Sequence, residues 1–301
     1  MSQRRTPSGR PRGASPSNPG AVWARIGSAF AAFLAGLALL WIGTPALVPL
    51  FLALSGIGIY EYAAMLRLRG VRVHRTILLV MTVLTVPAAL PAGHPLAPTG
   101  WLPFPPREAL LLGFVLVLLG IATRRPHRDA LTTVVYTLLG YLWIPGFFSY
   151  LLTLREFPDP VLGLATVLLP TLAVVASDVG GWVFGRAFGR RPLSPALSPD
   201  KTVEGAIGGL VLAAAVTPFA AALLHAGPGA PLPTVIALGF GVAIAAVAQI
   251  GDLFESLVKR WAGVKDAGLF LPGQGGVLDR IDSHLFALPV AYLLLSFVGQ
   301  V

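Results

Sequence analysis

Long apolar segments separated by short polar linkers dominate the pattern of this chain. Nine of these segments are long enough, or nearly long enough, to cross the roughly 30 Å hydrocarbon core of a bilayer as helices. The pattern therefore predicts an all-α, polytopic integral membrane protein with about nine transmembrane helices. The segments lie near residues 26–42, 44–66, 76–93, 107–123, 130–154, 161–184, 203–225, 233–257 and 277–299.

The composition favours a membrane environment. The 301-residue chain is 55% hydrophobic and has a mean hydropathy of +0.77. Charged residues make up only 12% of it, against about 25% in a typical soluble domain. One globular core cannot bury so much apolar surface, so lipid is the expected solvent for most of the chain. The chain contains no cysteine, which excludes disulfides, thiolate nucleophiles and Cys-ligated metal centres.

The basic residues indicate how the chain is threaded through the bilayer. Although the formal net charge is +9, Lys and Arg lie in short clusters between apolar segments, which favours membrane topology over nucleic-acid binding. If the N-terminus is cytoplasmic, all but two of the 22 basic residues fall on the cytoplasmic side, the exceptions being Arg107 and Arg155. This asymmetry predicts a cytoplasmic N-terminus and, with nine spans, a C-terminus on the other side.

Three regions differ in composition. Residues 1–25 are predicted to form a disordered, basic cytoplasmic tail, because most of this stretch is Ser, Pro, Gly or Arg. Residues 26–170 hold the N-terminal transmembrane helices. Residues 171–301 are predicted to form a C-terminal transmembrane region that carries the catalytic residues of any enzymatic activity, because eight of the thirteen Asp and Glu residues lie between 178 and 282.

A polar stripe ends the eighth apolar segment. Asp252, Glu255, Ser256 and Lys259 are spaced i, i+3, i+4 and i+7, and therefore share one face of a helix. A carboxylate within a bilayer costs about 2.5–3.5 kcal/mol on insertion scales and usually faces a polar cavity or a partner. The stripe therefore predicts a functional surface or an ion-pair network.

The ninth segment opens with a second pair of acids. Asp279 and Asp282 are three residues apart and follow two glycines, which allow a backbone to approach a ligand closely. The eighth and ninth helices are thus predicted to bring acids to the same cytoplasmic interface. The alternative interpretation is a salt-bridge network in which these acids, together with Asp252 and Asp266, are neutralised by Lys259, Arg260, Lys265 and Arg280.

The chemistry that suits these residues is phosphoryl or nucleotidyl transfer. Carboxylates without cysteine and with few histidines favour a hard cation such as Mg²⁺, which prefers oxygen ligands and commonly bridges to substrate phosphates. Neighbouring Lys and Arg residues suit phosphate oxygens. The chain has no G-x-x-x-x-G-K-[ST] phosphate loop and no G-x-G-x-x-G motif, and its histidines lack zinc-site spacing. The sequence therefore argues against an ordinary ATPase and against a zinc enzyme.

A second polar segment, "SDVGGWVFGRAFGRRPLSPALSPDKTVEG", spans residues 177–205. The topology rule explains its arginines but not Asp178, Lys201 and Glu204. Ser198 and Pro199 predict a turn before the next helix. Glu61 is a lone acid in the second apolar segment, and we expect a hydrogen-bonded structural role for it rather than a catalytic one.

The stretch from residue 256 to residue 282 resembles the signature of the membrane phosphatidate cytidylyltransferases, also called CDP-diacylglycerol synthases. That signature reads S-x-x-K-R, four residues, K-D, then P-G-H-G-G, two residues and D-R-x-D. The segment 177–205 resembles the upstream block of the same family. The matching signature positions are Ser256, Lys259, Arg260, Lys265, Asp266, Pro272, Gly273, Gly275, Gly276, Asp279, Arg280 and Asp282.

The resemblance implies transfer of a cytidylyl group from CTP to phosphatidic acid, giving CDP-diacylglycerol and pyrophosphate. It implies Mg²⁺, with a monovalent cation such as K⁺, and Asp252 and Asp279 as the metal ligands. The implied catalytic residues are Asp252, Asp279, Lys259 and Arg280, and the implied substrate-binding residues are Lys201, Ser256, Arg260, Lys265, Gln274, Asp178 and Asp282.

The expected setting follows from these substrates. We expect a multi-pass protein of the cell inner (plasma) membrane whose active site faces the cytoplasm, with CTP, phosphatidic acid and the bilayer as partners and no nucleic acid. A homodimer is compatible with the sequence.

One signature position departs from the family. Gln274 replaces the histidine of P-G-H-G-G. A phosphate monoester has a second pKa of about 6 and is largely ionised near neutral pH, so the nucleophile needs positioning more than deprotonation. The amide of Gln274 can still donate a hydrogen bond to a phosphate. We therefore expect an active enzyme, although an inactive scaffold that retains the motif is an alternative.

Two other functions remain open at this point. A related fold can use CTP to phosphorylate a polyprenol or phytol. The products are then CDP and the phosphorylated lipid, in place of pyrophosphate and CDP-lipid. Intramembrane acids can also form the pathway of an ion-coupled transporter. The clustering of the acids at one interface and the lack of an internal repeat argue against a transporter.

Overall fold

The computed structural model describes residues 34–97, 106–124, 128–156, 160–224, 232–268 and 275–298. Residues 34–42 are helical and lead into the first complete helix. A π-helical turn, Leu142–Gly146, follows directly after Tyr141. The elements are α1 (Thr44–Arg67), α2 (Arg75–Ala89), α3 (Pro106–Arg124), α4 (Ala130–Tyr141), α5 (Tyr150–Glu156), α6 (Pro160–Phe188), β1 (Pro192–Ser194), β2 (Ser198–Thr202), α7 (Val203–Leu224), α8 (Thr234–Ala262) and α9 (Leu278–Phe297).

The protein is an all-α, multi-pass membrane protein. In the described part of the chain, six helical stretches are long and apolar enough to cross a bilayer. This finding confirms the predicted fold class, whereas the count of nine spans and their direction remain predictions. The six stretches are Thr44–Arg67, Pro106–Arg124, Ala130–Glu156, Leu162–Phe188, Val203–Leu224 and Thr234–Ala262.

Two helices end at different places from those the apolar pattern predicted. The third segment was expected to reach residue 93, but α2 ends at Ala89 because Leu90 precedes Pro91 and adopts the extended conformation that this position favours. The eighth segment was expected to end at 257, but α8 continues to Ala262. It is capped by Gly263, whose φ of 84° is left-handed. The extra turn carries Lys259 and Arg260, which hydropathy alone assigns to a linker.

The linker before α7 is more ordered than predicted. Ser198 and Pro199 were expected to form a turn, but both belong to β2, which pairs antiparallel with β1. Glu204, in the first turn of α7, connects to the segment before β1. Its Oε2 accepts hydrogen bonds from the backbone N–H groups of Arg190 (3.0 Å) and Arg191 (3.2 Å).

Hydrogen bonds between residues far apart in the sequence mark the two ends of the helix bundle. At one end, the Arg69 guanidinium donates to the carbonyl of Trp261, and Arg260 donates to the carbonyl of Leu197 at 3.1 Å. At the other end, Arg155 Nε donates to the carbonyl of Leu40 at 2.7 Å. Linkers that the charge asymmetry assigned to the cytoplasm therefore meet at one end of the bundle.

Helices α6 and α7 pack with their backbones in close contact. A Cβ atom at Gly180 would lie 2.7 Å from the Gly208 carbonyl oxygen and 2.9 Å from Gly209 Cα. Small residues are common where membrane helices approach closely, because packing supplies much of their attraction. The close approach holds the α6 wall of the candidate site against α7.

We expect the Gly180→Ala substitution to destabilise the protein by about 1–3 kcal/mol, because the new methyl group would collide with backbone atoms that cannot rotate away. Thermal unfolding in detergent measures the effect. The matched control is Gly120→Ala in α3, where an added Cβ meets no atom within 4 Å. Equal unfolding temperatures for the two variants would contradict the close packing.

Candidate active site

Carboxylates from three helices converge on one cavity at the end of the bundle. The cavity, of about 280 Å³, is lined by Asp178 of α6, Asp252 and Glu255 of α8, and Asp279 and Asp282 of α9. We call it the acid cavity. Its remaining lining residues are Lys259, Arg280, Ser283 and His284.

Lys259 connects the two helices that supply most of these acids. Its Nζ donates to Glu255 Oε2 and to Asp279 Oδ1, both at 2.6 Å. Lys201 of β2 forms a second ion pair, with Asp252. The predicted salt-bridge interpretation is thus correct for Lys259. Among the described residues, its two ion pairs and that of Lys201 involve three of the five acids that line the cavity.

Acidic side chains outnumber basic ones in the acid cavity. Five carboxylates line it, against two basic side chains, and Lys201 adds a third from the wall. Glu255 is 1% exposed, and among the described residues its Oε1 has no hydrogen-bond partner. Burial lowers the pKa of Lys201, whereas Asp282 and Asp178 act in the opposite direction. A buried, unpartnered carboxylate oxygen among other acids is a suitable environment for a cation.

Asp279 organises the loop before α9 as well as facing the cavity. Its Oδ2 accepts hydrogen bonds from the backbone N–H groups of Gly276 (2.7 Å) and Ala267 (2.9 Å). Gly275 has a φ of 83°, and a Cβ there would lie 2.7 Å from Asp279 Oδ2. The glycine at 275 is therefore required both by its backbone conformation and by the space that Asp279 occupies.

Glu61 of α1 holds the same loop from the opposite side. Its Oε1 accepts from the Val277 N–H and its Oε2 from the Leu278 N–H, both at 2.9 Å. A Cβ at Gly276 would lie 2.5 Å from Glu61 Oε1. The carboxylate thus satisfies two N–H groups at the start of α9, where negative charge is also favoured by the helix dipole. The hydrogen-bonded structural role predicted for Glu61 is confirmed.

A second cavity, of about 450 Å³, adjoins the acid cavity beneath the β1–β2 hairpin. We call it the hairpin cavity. Asp178 and Asp252 line both cavities. Its other lining residues include Trp182, Leu193, Ser198, Asp200, Lys201, Thr202, Ala206 and Gln249.

Comparison with known proteins identifies the family to which this chain belongs. The family model described as the cytidylyltransferase family matches residues 23–298. The chain belongs to the cytidylyltransferase family. A Helicobacter pylori (strain J99) phosphatidate cytidylyltransferase is 35% identical over 252 residues, which cover 83% of this chain and 84% of that protein.

Two further relatives match a little under two thirds of the chain. A Bacillus subtilis phosphatidate cytidylyltransferase is 34% identical over 182 residues, or 60% of this chain and 65% of that protein. A Mycobacterium leprae phosphatidate cytidylyltransferase is 39% identical over 171 residues, or 57% of this chain and 51% of that protein. The chain therefore spans a little under two thirds of the Bacillus protein and about half of the Mycobacterium one.

The cytidylyltransferase signature is divided by the fold into cavity residues and supporting residues. Lys259, Asp279, Arg280 and Asp282 line the acid cavity. Asp178, Asp252 and Lys201 lie on the wall towards the hairpin cavity.

Three predicted substrate-binding residues lie elsewhere. Ser256 is buried and lines neither cavity. Arg260 reaches the turn of the hairpin, and Lys265 is exposed on the loop after α8. Gln274 lies outside the described residues.

Two site residues of this cytidylyltransferase were not predicted as such. Glu255 belongs to the polar stripe of α8, but the sequence does not show that one of its oxygens is left without a partner. Gln249 lies three residues before Asp252 and extends that stripe by one turn into the apolar part of α8. The sequence signal for Gln249 is that it places a neutral amide in an otherwise apolar stretch.

The residues fit a divalent cation that is completed by substrate phosphates. Within the described ranges, no group of three His, Asp or Glu side chains forms a ready-made metal site. Mg²⁺ is commonly held by one or two carboxylates plus phosphate oxygens and water. The unpartnered Glu255 oxygen and the surplus of carboxylates are consistent with such an ion.

We expect Glu61→Ala to destabilise the start of α9, because two buried N–H groups lose their acceptor at a cost of about 1–3 kcal/mol each. Glu61→Gln should have an intermediate effect, since its single carbonyl oxygen can accept from only one of the two. Thermal unfolding and hydrogen exchange over residues 275–283 measure both. The control is Glu108→Ala, an exposed acid in the first turn of α3. Unchanged exchange in Glu61→Ala would contradict the assignment.

Proposed function

We propose that this cytidylyltransferase transfers the cytidylyl group of CTP to phosphatidic acid, producing CDP-diacylglycerol and pyrophosphate. The observation that carries the proposal is the convergence of the signature residues Asp252, Lys259 and Asp279 on one cavity at the end of a membrane helix bundle. The relatives named phosphatidate cytidylyltransferase support the same reaction. A water-soluble nucleotide and a membrane lipid can meet only at such an interface.

Asp252 and Asp279 are the proposed ligands of Mg²⁺. When bound, the ion would act as a Lewis acid and neutralise charge on the triphosphate. Both aspartates are engaged by lysines in this structure, Asp252 by Lys201 and Asp279 by Lys259. The triphosphate would attract these ammonium groups and leave the carboxylates available to the metal ion. The lysines thus neutralise the two aspartates in the free protein, and the metal ion would do so once the nucleotide is bound.

The basic residues hold the phosphates during the transfer. Lys201, Lys259 and Arg280 surround the acid cavity and can donate to phosphate oxygens. An ionised phosphate oxygen of the lipid attacks the α-phosphorus, and the bond from that phosphorus to the bridging oxygen breaks. Pyrophosphate leaves with the bonding electron pair. The lipid phosphate is largely ionised near neutral pH, so positioning and charge neutralisation supply the catalysis.

The proposed topology places this chemistry in the cytoplasm. We propose nine spans, a cytoplasmic N-terminus and an active site facing the cytoplasm of the cell inner membrane. The clustering of basic linkers at the acid-cavity end of the bundle supports this orientation, since positive charge is retained on the cytoplasmic side. The acyl chains of phosphatidic acid remain in the bilayer while its head group reaches the cavity.

We expect Asp252→Asn and Asp279→Asn each to lower the rate of CDP-lipid formation by at least about a hundredfold, because each removes a negative charge from the metal site. Purified protein in detergent, supplied with CTP, phosphatidic acid and Mg²⁺, gives the measurement. Asp129→Asn, an exposed acid before α4, is the control. Full activity in either cavity variant would refute the metal assignment. Formation of CDP and a newly phosphorylated lipid, in place of pyrophosphate and CDP-lipid, would instead indicate a CTP-dependent lipid kinase.

We expect Gln274→His to retain or increase activity, because the reaction does not require a base at this position and either side chain can donate to a phosphate. The same assay, run from pH 6 to pH 9, compares the variant with the wild-type protein. Complete loss of activity would show that the loop has diverged from the family in its substrate contacts.

A further inference from the structure

The hairpin cavity and the acid cavity differ in chemistry although they share a wall. The acid cavity is lined almost entirely by ionisable side chains. The hairpin cavity combines apolar walls, formed by Trp182, Leu193 and Ala206, with hydroxyl and amide groups. Its charged lining residues are Asp178, Arg186, Asp200, Lys201 and Asp252. At about 450 Å³ it lies within the range of about 300–1,000 Å³ that small-molecule pockets occupy. Two such compartments side by side match a ligand that is charged at one end and aromatic at the other.

Gln249 of α8 is held in one orientation at the wall of the hairpin cavity. Its Nε2 donates to Ser177 Oγ at 3.2 Å and to the carbonyl oxygen of Ala206 at 3.1 Å. Gly209 leaves room for this amide, since a Cβ there would lie 3.0 Å from Nε2. With both N–H groups engaged, the remaining function of the side chain is that of an acceptor. Among the described residues, nothing donates to its Oε1.

We infer that the hairpin cavity binds the nucleoside part of CTP and that Gln249 selects cytosine by accepting a hydrogen bond from its exocyclic amine. This inference rests on the proposed function. Cytosine presents a donor at that position, whereas uracil presents a carbonyl oxygen that would face the Gln249 oxygen without a proton between them. A site built to bond one partner rejects an analogue that cannot complete the bond.

The position of the reacting phosphorus follows from this placement. With the nucleoside in the hairpin cavity and the β- and γ-phosphates in the acid cavity, the α-phosphate lies at the shared wall. That wall carries the Lys201–Asp252 ion pair and Asp178. The hairpin supplies Ser198 and Thr202, whose hydroxyl groups suit the ribose.

The kinetic test compares CTP with UTP in the CDP-lipid assay. Gln249→Leu removes the acceptor with little change in volume and should raise KM for CTP about tenfold, leave KM for phosphatidic acid unchanged, and lower the preference for CTP over UTP by on the order of a hundredfold. Gln249→Glu keeps acceptor oxygens but loses the two N–H donors that orient them, so its preference for CTP should lie between those of the wild type and of Gln249→Leu. Ile250→Ala, on the exposed side of the same helix, should behave as wild type.

A measurement of CTP binding to the wild-type protein tests the inference even if a Gln249 variant folds poorly. Trp182 lines the hairpin cavity and is 68% exposed. CTP should quench the tryptophan fluorescence of the wild-type protein, pyrophosphate should not, and Trp182→Phe should remove most of the quenching. Equal quenching by CTP and pyrophosphate would place the nucleoside elsewhere.

The outcomes separate the two proposals. A wild-type protein that forms no CDP-lipid refutes the proposed function. An active protein in which Gln249→Leu keeps its preference for CTP refutes the inference alone. A change in KM for phosphatidic acid with KM for CTP unaltered would assign the hairpin cavity to the lipid and overturn the inference.

Discussion

The ion pairs made by Lys259 are the interaction on which the site depends. The side chain lies one helical turn beyond Glu255 on α8 and reaches Asp279 on α9, so a single ammonium group offsets two carboxylates from different helices. Acids that are close together and partly removed from water repel one another, and each would be costly without a counter-charge. The spacing of α8 against α9 at this end of the bundle is therefore set by electrostatics as well as by packing.

The loop before α9 shows how the fold fixes the position of one acid. Asp279 accepts two backbone hydrogen bonds from its own loop, and Glu61 accepts two more at the start of the helix. Neither carboxylate can be removed without freeing N–H groups that are otherwise satisfied. The glycines at 275 and 276 complete the arrangement, because side chains there would occupy the space of the two acids. The carboxylate of Asp279 thus both fixes the conformation of this loop and faces the acid cavity.

Much of this arrangement could be predicted from the sequence, and the parts that could not have physical reasons. Helix spacing placed Asp252 and Lys259 on one face, and the apolar segments located the helices to within a few residues. The β1–β2 hairpin was missed because its strands are three and five residues long and polar. The partners of Glu61 could not be inferred, since 216 residues separate it from Val277. The orientation of Gln249 likewise depends on α6 and α7, which sequence spacing on α8 does not constrain.

The contact between Glu61 and the start of α9 also bears on how the two halves of the chain can evolve. The first half carries few acids and looks like a set of membrane anchors that any apolar helices could replace. Yet α1 supplies a carboxylate at one particular depth, and the loop at 275–278 is shaped to receive it. A chimera that joins the C-terminal half to foreign anchoring helices would have to provide an acid at that depth. The two halves are therefore structurally interdependent, even though the proposed chemistry resides in one of them.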